Sequence, residues 1–336
     1  MELRSVVLRG ERLRGQRVRA ERRCAGGRYP VAAAQENTCM RSSEFMVGIA
    51  GLLWMMTTGP VGAAPGHPVL DDAEQWRRFA DDLGARVAGG ETTAVDVLRG
   101  QLTTRKQAPI QLARPARRDL APDAVYEQCV GSVVALGAVY KCNRCPHWHT
   151  GGTATGWVIG SRGEIASNYH VFADNRNTNV VAFGAMTLDG KCLPISEVLA
   201  ADRVRDIAIV RVDSRDLRPL PVALSEPVGR PVSVIAHPSG DLFTFTQGHV
   251  SRYAKRSVDP GSPAVPWMFI TADFAVGSSG GPVLNRQGAV VGMVARTATI
   301  NADPKSEAPT TQMVVKMTIP AEAVLSLVTP GKGGGR

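Results

Sequence analysis

From Val130 onward the chain breaks into short runs rich in Val and Ile, separated by clusters of Gly, Pro, Asn and Asp. Clear runs are Val130 to Tyr140, Ala154 to Ile159, Ile207 to Val212, Val232 to Ala236, Val290 to Ala295 and Val314 to Ile319. Many short strands at such spacing build an all-β sandwich or barrel; parallel βαβ units need helical stretches between their strands, which this pattern lacks. No internal repeat is evident, and Ala321 to Val328, following Pro320, reads as a short closing helix.

The part before these strands has a different character. Trp76, Phe79, Ala80, Leu83 and Val87 recur at helical spacing after Asp72, and Gly89-Gly90 ends the pattern. A second short helix is predicted from Thr93 to Arg99, stopping at Gly100. Thr103 to Pro122 has no periodicity and concentrates Pro and Arg, so residues 65–122 divide into a helical segment and a linker before a main domain at 123–330.

Upstream, Met46 to Met56 is an uncharged apolar run, short for a bilayer crossing, flanked by Arg41 and followed by small residues up to Ala64. This predicts a signal-peptide hydrophobic region at 46–56, cleavage near Ala64, and a secreted or periplasmic chain with no stable membrane insertion after cleavage. Met40 just ahead makes residues 1–39 a plausible over-extension of the reading frame.

The formal charge of +9 raises the question of nucleic acid, but its placement answers it. Residues 1–64 hold ten Arg and five Glu, leaving +4 for the other 272 residues. A surplus so small and spread is an ordinary solvated surface, and nucleic acid is excluded as a partner. No signal for oligomeric state is present.

The strongest chemical signal is Gly277-Ser278-Ser279-Gly280-Gly281-Pro282, lying between two β-runs. A serine nucleophile needs backbone donors aimed at the developing oxyanion, and glycines permit the tight turn that points them inward. Here the donors are the N–H groups of Gly277 and Ser279. Two further segments precede this one: Ala166 to Val171 around His170, and Asp202 to Val210, which contains Asp206. The order His, Asp, Ser is the chymotrypsin order and differs from those of subtilisin and the α/β-hydrolases.

Across residues 123–328 these segments resemble the trypsin-like serine peptidases of the HtrA type. The resemblance implies two six-stranded antiparallel β-barrels, a cleft holding an extended polypeptide substrate, and acyl-enzyme chemistry without a cofactor. It makes Ser279 the nucleophile, His170 the general base and then acid, and Asp206 the orienting carboxylate. Asp202 is the competing aspartate, but Asp206 directly enters the apolar strand Ile207 to Val212. Two departures stand out. Ser278 replaces the aspartate that receives a new N-terminus in trypsin itself, and the short stretch after the protease region leads one to expect no PDZ domain. A catalytically silent peptide-binding module on the same fold is the alternative from another class.

Specificity turns on Asp273, six residues before Ser279. In trypsin an aspartate at that separation lies at the base of the S1 pocket, whereas HtrA-type pockets take small aliphatic side chains. Thr297 stands where trypsin-like pockets need glycine, and Arg296 is placed to neutralise Asp273, so small or medium apolar P1 residues are expected.

Four cysteines follow the presumed cleavage point: Cys129, Cys142, Cys145 and Cys192. In an exported chain these predict disulfides. The stretch Cys142-Asn143-Arg144-Cys145-Pro146-His147-Trp148-His149 also carries zinc ligand types in Cys142, Cys145, His147 and His149, although the histidines are closer together than common finger spacing.

Overall fold

The amphipathic stripe read after Asp72 forms helix α1 (Asp72–Ala88), with Asp71 capping its N-terminus by accepting from the Glu74 N–H and Gly89 at its C-cap. The computed structural model describes residues 69–142, 144–173, 179–257, 261–303 and 310–330, all within the unit comprising residues 63–336. The leader expected at 1–64, with its hydrophobic region 46–56, lies outside the described residues.

Helix α2 (Val95–Thr104) continues past Gly100. Glycine costs a helix interior about 1 kcal/mol, and burial of Leu98 and Leu102 in the apolar cluster of the first barrel offsets it. The Pro- and Arg-rich stretch read as a linker is anchored to the folded unit at both of its ends. Strand β1 (Ala108–Ile110) pairs in parallel with the C-terminal strand β14 (Val328–Pro330), Ile110 is buried, and the Leu120 N–H donates to Arg286 O at 2.8 Å. Helix α3 (Pro122–Cys129) then leads into the first barrel, with proline at its start where a missing N–H costs nothing.

That barrel closes in the order β2 (Val133–Lys141), β3 (Trp148–Val158), β4 (Glu164–Ser167), β7 (Ile207–Val212), β6 (Cys192–Asp202), β5 (Val180–Met186), every pair antiparallel. The second closes in the order β8 (Pro231–Ala236), β9 (Thr244–Arg256), β10 (Val265–Ile270), β13 (Thr311–Pro320), β12 (Val290–Asn301), β11 (Pro282–Leu284), again antiparallel throughout. Closure leaves no free edge in either barrel. Two six-stranded antiparallel barrels with a small N-terminal helical segment are what the strand pattern and the resemblance led one to expect.

Alternation along β2 explains why both faces are apolar. Val134, Leu136 and Ala138 join one cluster, while Val133, Ala135 and Val139 join another that also gathers Phe79 and Leu83 of α1 and Ile235, Trp267 and Met293 of the second barrel. This shared cluster joins the barrels. Helix α1 reaches both: Phe79 is buried against the first, and the Trp76 indole N–H donates to Gly240 O after β8 at 2.9 Å.

Candidate active site

His170 lies on a single helical turn, α4 (Tyr169–Ala173), immediately after β4, and Asp206 is the last residue before β7. Because β4 and β7 are paired, Ser167 lies opposite Ala208 and the two loops leave the barrel together. Asp206 adopts φ of +60°, a left-handed conformation that aspartate tolerates better than most residues. The turn aims its carboxylate at His170: Oδ2 is 2.7 Å from the imidazole Nδ1, and Oδ1 accepts the His170 backbone N–H at 2.9 Å. Its carbonyl accepts from the Asn168 amide and the Tyr169 N–H. Since a carboxylate only accepts, Nδ1 carries the hydrogen and Nε2 is left as a base on a half-exposed ring. Asp202 is engaged elsewhere, accepting from the Arg205 backbone and guanidinium.

The serine loop comes from the second barrel, just before β11. Gly277 and Gly280 have φ of +94° and +87°, conformations open to glycine, and a Cβ at Gly280 would sit 2.2 Å from both Ser167 Oγ and Thr155 O. The loop docks on the first barrel: the Thr155 N–H donates to Ser279 O at 2.8 Å, and the Thr155 hydroxyl donates to Gly277 O at 2.9 Å. Ser167, which Gly280 touches, is three residues from His170, so strands β3 and β4 bring loop and imidazole to one place. Among the described residues the Gly277 and Ser279 N–H groups and the Ser279 hydroxyl make no hydrogen bond, and none links Ser279 to His170. Ser278 faces inward, fully buried, with its hydroxyl accepting the Ala275 N–H.

Three supporting residues carried no signal in the sequence. Thr155 is one of several threonines on its strand, and only register places it under the serine loop. His237 is fully buried behind it. The single Thr155 hydroxyl hydrogen goes to Gly277, so Thr155 accepts from His237 Nδ1 at 3.0 Å, and His237 Nε2 has no partner among the described residues. Burial lowers His237 to about 3. The third is Lys316 on β13: its ammonium is 3.3 Å from Asp273 and donates to Phe274 O at 2.6 Å. Lys316, not Arg296, is therefore the cation at Asp273. Arg296 and Thr297 lie on β12, with Thr297 opposite Lys316 in the register, and Asp273 is 85% exposed, unlike a buried pocket base.

A neutral buried imidazole makes stability depend on pH. The unfolded chain protonates His237 below about pH 6.5, the folded chain only near 3, so stability falls by about 1.4 kcal/mol per pH unit as pH drops through that window. Urea unfolding at pH 7 and pH 5 is expected to show wild type losing about 2 kcal/mol more than His237→Gln; equal losses would place the titrating group elsewhere.

The expected disulfides are not formed. All four cysteines among the described residues are free thiols. Cys129 and Cys192 are each buried in apolar surroundings, which push them up to about 11 and about 12, and Cys129 contacts Gly288 O. Cys142 and Cys145 stand 3.3 Å apart, well beyond an S–S bond of about 2.05 Å. Hydrogen bonds from the Arg144 backbone and from Cys145 draw Cys142 down to about 7. His149 joins the pair, its Nε2 3.0 Å from Cys145, while His147 is exposed and outside the cluster.

Loops from both barrels meeting across a shared wall are the arrangement of the chymotrypsin fold. Residues 154–293 match the trypsin-like peptidase domain family, and the chain is similar to serine proteases of the HtrA type. It is 32% identical over 148 residues to the chloroplastic Protease Do-like 1 of Arabidopsis thaliana, covering 42% of this chain and 32% of that protein. It is 33% identical over 144 residues to the mitochondrial serine protease HTRA2 of Bos taurus, covering 41% and 30%. A DegP-like protein of Pseudomonas fluorescens, named as a periplasmic serine endoprotease, is 29% identical over 184 residues, covering 54% and 35%. The matched region thus spans about a third of the length of these curated relatives.

Proposed function

We propose that this chain is a serine endopeptidase that hydrolyses polypeptides through an acyl-enzyme. The observation that carries the reading is the His170–Asp206 contact at 2.7 Å beside a serine loop docked on β3 and β4. Ser279 attacks the scissile carbonyl as His170 Nε2 takes its proton, and Asp206 holds the imidazole and offsets the charge it gains. The Gly277 and Ser279 N–H groups, uncommitted within the described residues, receive the oxyanion; losing one such donor costs about 10² to 10³ in turnover. His170 then protonates the leaving amine, and water releases the acyl group by the reverse path. No cofactor takes part. Hydrolysis of a peptide library by the wild-type chain tests the reading; a folded, inert chain would favour a silent peptide-binding module.

We infer export to the periplasm or outside the cell from the apolar run at 46–56 and the small residues up to Ala64, in keeping with the periplasmic name of one relative. N-terminal sequencing of the mature protein is expected to find a start near residue 65, and retention of Met46 to Met56 would refute cleavage.

For specificity, neutralisation of Asp273 by Lys316 supports small or medium apolar P1 residues such as Val or Ala. Lys316→Met leaves Asp273 without this partner and is expected to raise cleavage after Lys and Arg relative to Val on the order of tenfold. A wild-type profile already dominated by Lys or Arg, lost in Asp273→Ser, would reverse the assignment.

A further inference from the structure

We propose that Cys142, Cys145 and His149 form a zinc-binding site at the tip of the β2–β3 hairpin, away from the catalytic loops. Cys142 follows the last residue of β2, Cys145 lies in the connection, and His149 is the second residue of β3. Their ligand atoms all lie within 4.8 Å of one another, with sulfur to sulfur at 3.3 Å and sulfur to Nε2 at 3.0 Å. A tetrahedral ion with Zn–S about 2.3 Å and Zn–N about 2.0 Å holds such atoms about 3.8 and 3.5 Å apart. The two closest pairs therefore stand about half an ångström inside those spacings, within the range of side-chain movement.

The donor set selects the ion. Two thiolates and an imidazole are borderline-soft ligands suited to zinc, and the cluster contains no carboxylate of the kind calcium and magnesium require. Two thiolates also balance the charge of a divalent cation. The His149 ring stacks on Tyr140, its cross-strand partner, with centroids 5.3 Å apart and planes at 30°, which fixes the imidazole with Nε2 turned to the sulfurs. The three half-buried ligands leave the fourth tetrahedral position to solvent, since exposed His147 stands outside the cluster.

The consequence is mechanical. An ion joining Cys142 to His149 locks the end of the hairpin, where Lys141 pairs with Trp148. Trp148 packs directly on Gly84 of α1, so closely that a Cβ there would sit 2.1 Å from the indole, and Lys141 covers the Trp148 ring at 4.7 Å. The same strand continues to Thr155, which holds the carbonyls of the serine loop through its own N–H and hydroxyl. The metal would thus pin the strand that seats both the N-terminal helix and the serine loop.

The test uses the full chain, reduced, and loaded separately with Zn²⁺ and Co²⁺. Elemental analysis is expected to find one zinc per chain, and the Co²⁺ form to show thiolate-to-cobalt charge transfer with tetrahedral d–d bands. Cys142→Ser, Cys145→Ser and His149→Ala are each expected to weaken zinc by more than the about 10- to 100-fold that loss of an outer-shell partner costs, while Cys129→Ala keeps full stoichiometry. The cobalt spectrum of the wild-type chain needs no variant and guards against a substitution that misfolds. Two results would overturn the site: a fully reduced chain that retains neither metal, or a Cys142–Cys145 disulfide in protein recovered from its own compartment without zinc.

Discussion

Replacing Ser279 with alanine is expected to lower peptide hydrolysis by about 10⁶-fold, the scale reached when the nucleophile of a serine–histidine pair is removed. The fold should hardly notice. The Ser279 hydroxyl has no hydrogen-bond partner among the described residues, so its loss strands no buried group, and the backbone bond from Thr155 to Ser279 O is kept. Ser279 has no positive φ, so alanine brings no backbone strain. Thermal unfolding should therefore shift by no more than a surface substitution does, about 0.5 kcal/mol. Hydrolysis that survives in a folded Ser279→Ala chain would mean that another nucleophile does the work.

Asp206→Asn is the second large effect, a drop in kcat of about 10⁴. Asparagine tolerates the left-handed backbone at φ of +60° and can still accept the His170 N–H through its carbonyl oxygen. Its amide nitrogen, however, donates where the carboxylate accepted. His170 Nδ1 must then become the acceptor, and the hydrogen moves to Nε2, which no longer serves as a base toward Ser279. Asp202→Asn is the matched control: Asp202 faces Arg205 on the surface turn, and activity should stay close to wild type. If kinetics of the two variants show Asp202→Asn as the crippled one, the histidine has been given the wrong partner.

The barrels were legible because short β-branched runs bounded by turn residues mark strands, and such runs form β7 and β8, both buried almost throughout. Boundaries were less so. The run expected from Val130 begins as a strand only at Val133, because Val130–Ser132 completes a helical turn behind α3, and α3 itself, between the apparent linker and that run, was not foreseen. Gly100 suggested a helix stop, but the tertiary burial of Leu102 outweighed a local preference worth about 1 kcal/mol. At the site, Gly277 to Pro282 and the segments around His170 and Asp206 are contiguous in sequence and therefore readable. Thr155, His237 and Lys316 reach the site through strand register and inter-barrel packing, which a linear pattern does not encode. The cysteines divide the same way. The C-x-x-C spacing announced a pair, but the choice between bond and ligand depends on a 3.3 Å separation and on His149 arriving from the next strand.

Labelling of the full chain with a serine-reactive phosphonate, followed by mass spectrometry of the modified peptide, tests the central claim most directly. The account predicts one adduct per chain, on Ser279, abolished in Ser279→Ala and strongly slowed in His170→Ala, because only a serine with an adjacent base attacks the phosphorus at a useful rate. A folded chain with a free site that takes up no label, or an adduct at a serine other than Ser279, would contradict it.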